Sequence, residues 1–143
     1  MRSTCSCGKF PATRAEVLSR VLVIDDEPLV RWSLVAGLRH AGFDAVAAGT
    51  PEDAIRLAGQ RPLPDVVLLD LGLWGADPRR LLEDIRQRAP RSRILLLAVA
   101  GEDIALPIGD DLEVIRKPFD LHAVVDRVES VLLCSAHGAR LPL

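Results

Sequence analysis

A chain of 143 residues is about one domain's worth of sequence, and with 49% hydrophobic and 27% charged residues it is neither disordered nor fibrous. Eighteen basic residues against 20 acidic ones leave a formal net charge of -2, which supplies no field to hold a polyanion or an anionic membrane. Aromatics at 3% offer few platforms for stacking bases or sugars, so direct nucleic-acid binding starts behind and the core must be built from Leu, Val, Ile and Ala.

Residues 1 to 19 show no sustained periodicity and are expected to form a loose extension, with one short helical turn near Arg14 to Ser19. Met1 to Phe10 lacks the apolar stretch of a signal peptide, and no apolar run approaches the roughly 18 residues of a membrane span, so a cytoplasmic location is expected. Cys5, Cys7 and Cys134 lie near the two ends. A C-x-C pair without a second pair or a neighbouring His reads as incidental thiols ahead of a metal or redox site.

From Arg20 the pattern changes to short apolar runs alternating with segments of helical period. Val21 to Ile24 is a strand that ends in Asp25-Asp26, and Pro28 opens a helix that runs to about Ala41 and stops at Gly42. Phe43 to Ala48 is a second strand. Thr50 then caps a helix with Pro51 in its first turn, reaching about Gln60. Asp65 to Asp70 is the third strand, Asp77-Pro78 opens a helix to about Ala89, and Arg93 to Ala98 is the fourth strand. The segment from Gly101 to Asp111 should hold a further helix, but Pro107 and Gly109 interrupt it and make it short or broken. Leu112 to Arg116 is the fifth strand, and Asp120 caps a last helix in which Leu121, Val124, Val125, Val128, Val131 and Leu132 keep helical spacing. Strands that are apolar nearly throughout indicate a parallel sheet covered on both faces, an α/β domain over residues 20 to 134 with a tail at 135 to 143.

In such a sheet, ligands bind beyond the carboxyl ends of the strands, near the point where strand order reverses. The unusual polar residues stand there: Asp25 and Asp26 after the first strand, Asp70 closing the third, and Lys117 after the fifth, just before Pro118. Each taken alone is ordinary, since adjacent acids often cap a turn and Lys-Pro often follows a strand. Their coincidence at three strand ends carries the argument. Carboxylates a few Å apart repel one another and either take up protons or recruit a cation. With oxygen ligands and no His or Cys at hand, Mg²⁺ suits the site better than zinc. Lys117 adds a point charge suited to a phosphoryl oxygen, and the chemistry indicated is phosphoryl transfer with Asp70 as a carboxylate nucleophile.

Residues 20 to 133 resemble a response-regulator receiver domain of two-component signalling. The resemblance rests on Val21-Leu-Val-Ile-Asp25-Asp26-Glu27-Pro28, on Asp65-Val-Val-Leu-Leu-Asp70-Leu-Gly72-Leu, and on Arg116-Lys117-Pro118-Phe119, in that order and spacing. Leu29-Val-Arg31-Trp32-Ser-Leu34 is also similar to receivers that precede sigma-54 activator modules. The resemblance implies a doubly wound, flavodoxin-like sheet of order 2-1-3-4-5, with the irregular helix in fourth place, and a bacterial source. It implies that Asp26, Asp70 and the Gly72 carbonyl ligate Mg²⁺ directly, with Asp25 assisting through water. Asp70 would accept a phosphoryl group from a histidine kinase or phosphotransfer protein, and Lys117 would pair with it. The chain would then be a stand-alone signalling module with no output domain attached and a separate output protein as a partner, an enzyme at most in slow self-dephosphorylation.

Where the family carries a Thr or Ser at the end of the fourth strand this chain has Ala98, and Val114 replaces the aromatic three residues before the lysine. Both side chains of the family's switch pair are therefore missing. Trp74 stands where many members have Pro. Three other readings compete with this one. A haloacid-dehalogenase-like phosphatase needs a second Asp two positions after the nucleophile, and that position is Gly72. A nucleotide-binding domain needs glycines after the first strand, where Asp25-Asp26-Glu27 would repel phosphate. The stronger rival is a degenerate receiver that binds a partner constitutively. On the first helix Val30, Leu34 and Leu38 suffice to face the sheet, leaving Leu29, Trp32 and Val35 on other faces as padding or as a docking stripe. His40, His122 and His137 are isolated and read as surface residues.

Overall fold

Alternate residues of a strand go to opposite faces of a sheet, so a strand that is apolar at every position needs a layer of helices on each side. The computed structural model describes residues 18–70, 77–99, 112–117 and 120–140, with Val99, Lys117 and 134–140 described by backbone alone. It shows that arrangement. The elements in chain order are β1 (Arg20–Ile24), α1 (Pro28–His40), β2 (Asp44–Ala48), α2 (Pro51–Ala58), β3 (Val66–Asp70), α3 (Pro78–Arg88), β4 (Arg93–Val99), β5 (Leu112–Lys117) and α4 (Leu121–Arg140). The strands form one parallel sheet in the order β2-β1-β3-β4-β5. This is the flavodoxin-like order that the resemblance implied.

The two cores follow from strand alternation. Leu22, Ile24, Val67, Leu69, Ile94 and Leu96 pack with Ala54, Leu82 and Ile85 of α2 and α3. Val21, Val23, Val66, Leu68, Leu95 and Leu97 pack with Leu34, Leu38, Val124 and Val128 of α1 and α4. Burial of these branched side chains supplies the main driving force, on the order of 1.5–3 kcal/mol for each fully buried one.

Local chemistry sets the helix ends. The Thr50 hydroxyl accepts the Asp53 amide at 3.1 Å, and the Asp77 and Asp120 carboxylates accept the amides of Arg79 and His122 at 3.1 and 3.2 Å, as capping from those residues requires. After α1 the chain turns through Gly42 at φ +98°; the Phe43 amide donates to the Leu38 carbonyl and the Gly42 amide to Arg39. That is a Schellman cap, and it takes the Phe43 amide out of the sheet. The second strand therefore begins at Asp44 and not at Phe43 as its apolar pattern implied.

One further expectation needs correction and several lie outside the described residues. Val35 is half-buried and packs against the α1/α4 core, because it follows Leu34 at the flank of the buried stripe. Leu29 and Trp32 do stand clear of it, 73% and 70% exposed. α4 runs to Arg140. The irregular helix expected at Gly101 to Asp111, Trp74, Pro118, Phe119, and the extension with Cys5 and Cys7 lie outside the described residues, as do the side chains of Cys134 and His137.

Candidate functional site

The pairing of Ile24 with Leu69 brings β1 and β3 to the same level, so Asp25 and Asp70, each one residue further on, come out side by side. This is where the sheet reverses its winding: β2 lies on one side of β1, while β3, β4 and β5 follow on the other. The crevice beyond such a reversal has no helix crossing it and is where doubly wound sheets take ligands.

Asp25, Asp26 and Asp70 each offer one carboxylate oxygen to a cluster in which the oxygens lie within 4.8 Å of one another. Asp25 is 1% exposed and Asp70 5%, above a floor of Ile24, Leu69 and Leu97 that is closed to solvent. Charges this buried are poorly screened, so their repulsion is felt strongly. The segment bearing the acids is held from several sides. The Asp25 amide donates to the Ala48 carbonyl of β2 at 3.2 Å, and the Asp25 Oδ1 accepts the Glu27 amide at 2.9 Å, an Asx turn that leads the chain into α1. Pro28 then starts the helix without needing an amide donor.

A cluster of carboxylate oxygens with no nitrogen or sulfur donor among the described residues has the chemistry of a hard-cation site, its spacing suited to one ion held directly or through water. Mg²⁺ fits these residues. Of the other expected site residues, Lys117 closes β5 opposite Val99, two residues beyond the level of Asp70, Leu97 and Ile115. Gly72 lies outside the described residues. Ala98 is buried at the end of β4, and Val114 is half-buried against the α2/α3 core. His40 and His122 are exposed, as expected of surface residues.

The structure also brings in two residues that sequence reasoning passed over. The Arg31 Nη1 donates to the Asp25 carbonyl at 2.8 Å, and Gly49, just after β2, leaves the room this guanidinium occupies. An arginine five positions after Asp26 and a glycine closing the second strand were both visible, but nothing in the linear order joins them.

Comparison with known proteins agrees with this geometry. The model of the response regulator receiver domain matches residues 21–129. A Mycobacterium tuberculosis protein named "Probable transcriptional regulatory protein TcrX" is 35% identical over 116 residues, covering 78% of this chain and 49% of its own. The "Alkaline phosphatase synthesis transcriptional regulatory protein PhoP" of Bacillus subtilis is 30% identical over 117 residues, covering 79% and 48%. The chain thus spans about half the length of these relatives. Among solved structures, a CheY-like response regulator receiver domain protein from Methanospirillum hungatei superposes with a TM-score of 0.69 over 85% of this chain and 99% of its own, at 16% identity, a likeness of fold. With the model matched along most of its length and the acids gathered at the reversal of its sheet, the chain belongs to the response regulator receiver domain family.

Proposed function

We propose that this receiver domain takes a phosphoryl group on Asp70 in the presence of Mg²⁺, from the phosphohistidine of a histidine kinase or phosphotransfer protein in the cytoplasm. The observation that carries the proposal is the convergence of Asp25, Asp26 and Asp70 within 4.8 Å at the end of the sheet. Asp26, Asp70 and the Gly72 carbonyl would hold the ion, with Asp25 assisting through water. A bound cation offsets the negative charge of the carboxylates and of the incoming phosphoryl oxygens. The Asp70 carboxylate forms the new bond to phosphorus while the bond to the donor imidazole nitrogen breaks, that nitrogen keeping the electron pair. Lys117 supplies positive charge to the phosphoryl group. The short Asp70 side chain on a buried strand end limits the approach of donors, which favours a partner that presents its imidazole at the crevice mouth.

The intact acid cluster favours this reading over a constitutive interaction module, which would have no need of three crowded carboxylates, two of them buried. The relatives' names support an output in transcriptional regulation, reached through a further domain or a separate output protein. The test is the intact mass of the protein after exposure to Mg²⁺ and acetyl phosphate. One added phosphoryl group, lost in Asp70→Ala, is the expected result; an unchanged mass, or the same gain in Asp70→Ala, would remove the proposal.

A further inference from the structure

We infer that Arg31 is a positioning residue for the acidic site, seated in the space that Gly49 leaves open and fixing the Asp25-Asp26 peptide so that Asp26 meets Asp70 around a cation. The inference rests on the reading that these carboxylates bind a divalent ion.

β1 ends at Ile24, and beyond the Asp25 amide the sheet no longer holds the chain. The direction of Asp26 is then set by the peptide that joins it to Asp25. Arg31 controls that peptide from one side: its Nη1 donates to the Asp25 carbonyl at 2.8 Å, while its own amide donates to the Glu27 carbonyl at 3.0 Å. The amide bond is the first backbone bond of α1, whereas the bond from the guanidinium is specific to arginine and charge-assisted, stronger than a neutral one. Groups that orient metal ligands from behind in this way commonly matter to affinity about as much as 10–100-fold.

Gly49 points to the same role. Its φ is not in the left-handed region, unlike that of Gly42, so backbone conformation does not call for glycine there. A Cβ at residue 49 would lie 2.6 Å from the Arg31 Nη1 and 3.1 Å from its Cζ, and the three nearest atoms all belong to that guanidinium. What the glycine accommodates is Arg31. The end of β2, the end of β1 and the start of α1 are joined through this one side chain.

The two effects Arg31 could have on cation binding are opposite in sign, which makes the inference testable. As a positive charge near the site it would weaken binding, whereas as an anchor for Asp26 it strengthens it. Mg²⁺ titration of the full chain, followed by backbone amide shifts, should show about tenfold or weaker affinity in Arg31→Gln. Arg31→Lys, which keeps the charge without the planar fork, should also bind more weakly. Gly49→Ala should weaken binding in the unaltered protein but change little in the Arg31→Gln background, because the contact it disturbs is already gone. Unperturbed amide spectra for β3 and β4 identify folded variants, and if Arg31→Gln does not fold, Arg31→Lys and Gly49→Ala carry the test. Equal or tighter Mg²⁺ binding by the folded Arg31 variants, or independent effects of the two substitutions, overturns the inference while leaving the cation site standing. Absence of Mg²⁺ binding by the unaltered protein overturns both.

Discussion

Ala98 and Val114 face the same side of the sheet from adjacent strands: Leu96 pairs with Val114 and Ala98 with Arg116, which places Ala98 one pleat beyond Val114. In an ordinary receiver these two positions hold a hydroxyl and an aromatic ring. Here the first is a buried methyl and the second a half-buried aliphatic side chain packed on the α2/α3 core. A ligand shifts a conformational equilibrium only through contacts that differ between two states, and neither side chain has a polar atom to gain or lose. Beryllofluoride should therefore move the surface of β5 and α4 less than it does in receivers that carry the pair. Backbone amide shifts confined to Asp25, Asp26, Asp70 and Lys117 are the expected result. Large changes spreading through Leu112 to Arg116 and along α4 would refute it.

On the proposed reading, replacing Asp26 removes a ligand and leaves Asp25 and Asp70 in place. Asp26→Ala should lower Mg²⁺ or Mn²⁺ affinity roughly tenfold or more, at least as much as the loss of a group that only orients a ligand. Titration followed by amide shifts checks this, and an unchanged affinity would take Asp26 out of the site.

Phosphate on Asp70 should be long-lived for this family. Hydrolysis needs a water aligned with the phosphorus, and Gly72 and Ala100, two residues beyond Asp70 and Ala98, carry no polar side chain that could orient one. The decay of phosphorylated protein after removal of acetyl phosphate, with Mg²⁺ present, measures the lifetime. Rapid decay, or a phosphoryl group on any residue other than Asp70, would contradict it.

Gly42 is a backbone requirement and nothing else. Its φ is +98° and an added Cβ would meet no atom within 4 Å, so Gly42→Ala changes no packing. The cost should be that of forcing an L-residue into left-handed conformation, about 1–2 kcal/mol of unfolding free energy. Urea denaturation should show a lowered midpoint with unchanged slope. A fall much larger than this would mean that the Schellman cap also holds tertiary contacts.

The amino-acid sequence by itself determined the alternation of elements, because strand burial and helix capping are local in their chemistry. Apolar runs at Val21 to Ile24 and Val66 to Leu69 could only be central strands, and Thr50, Asp77 and Asp120 marked helix starts through side chains that reach amides two or three residues away. The acids at strand ends were legible for the same reason, since in a parallel sheet all strand ends of one sense lie on one edge. Tertiary structure decided what depends on distance between remote segments. That Asp25, Asp26 and Asp70 stand within 4.8 Å follows from the pairing of Ile24 with Leu69, a register no local pattern encodes. The seat of Arg31 against Gly49 and the Asp25 carbonyl has the same origin: it exists only once α1 has packed on the face of the sheet beside β1 and β2.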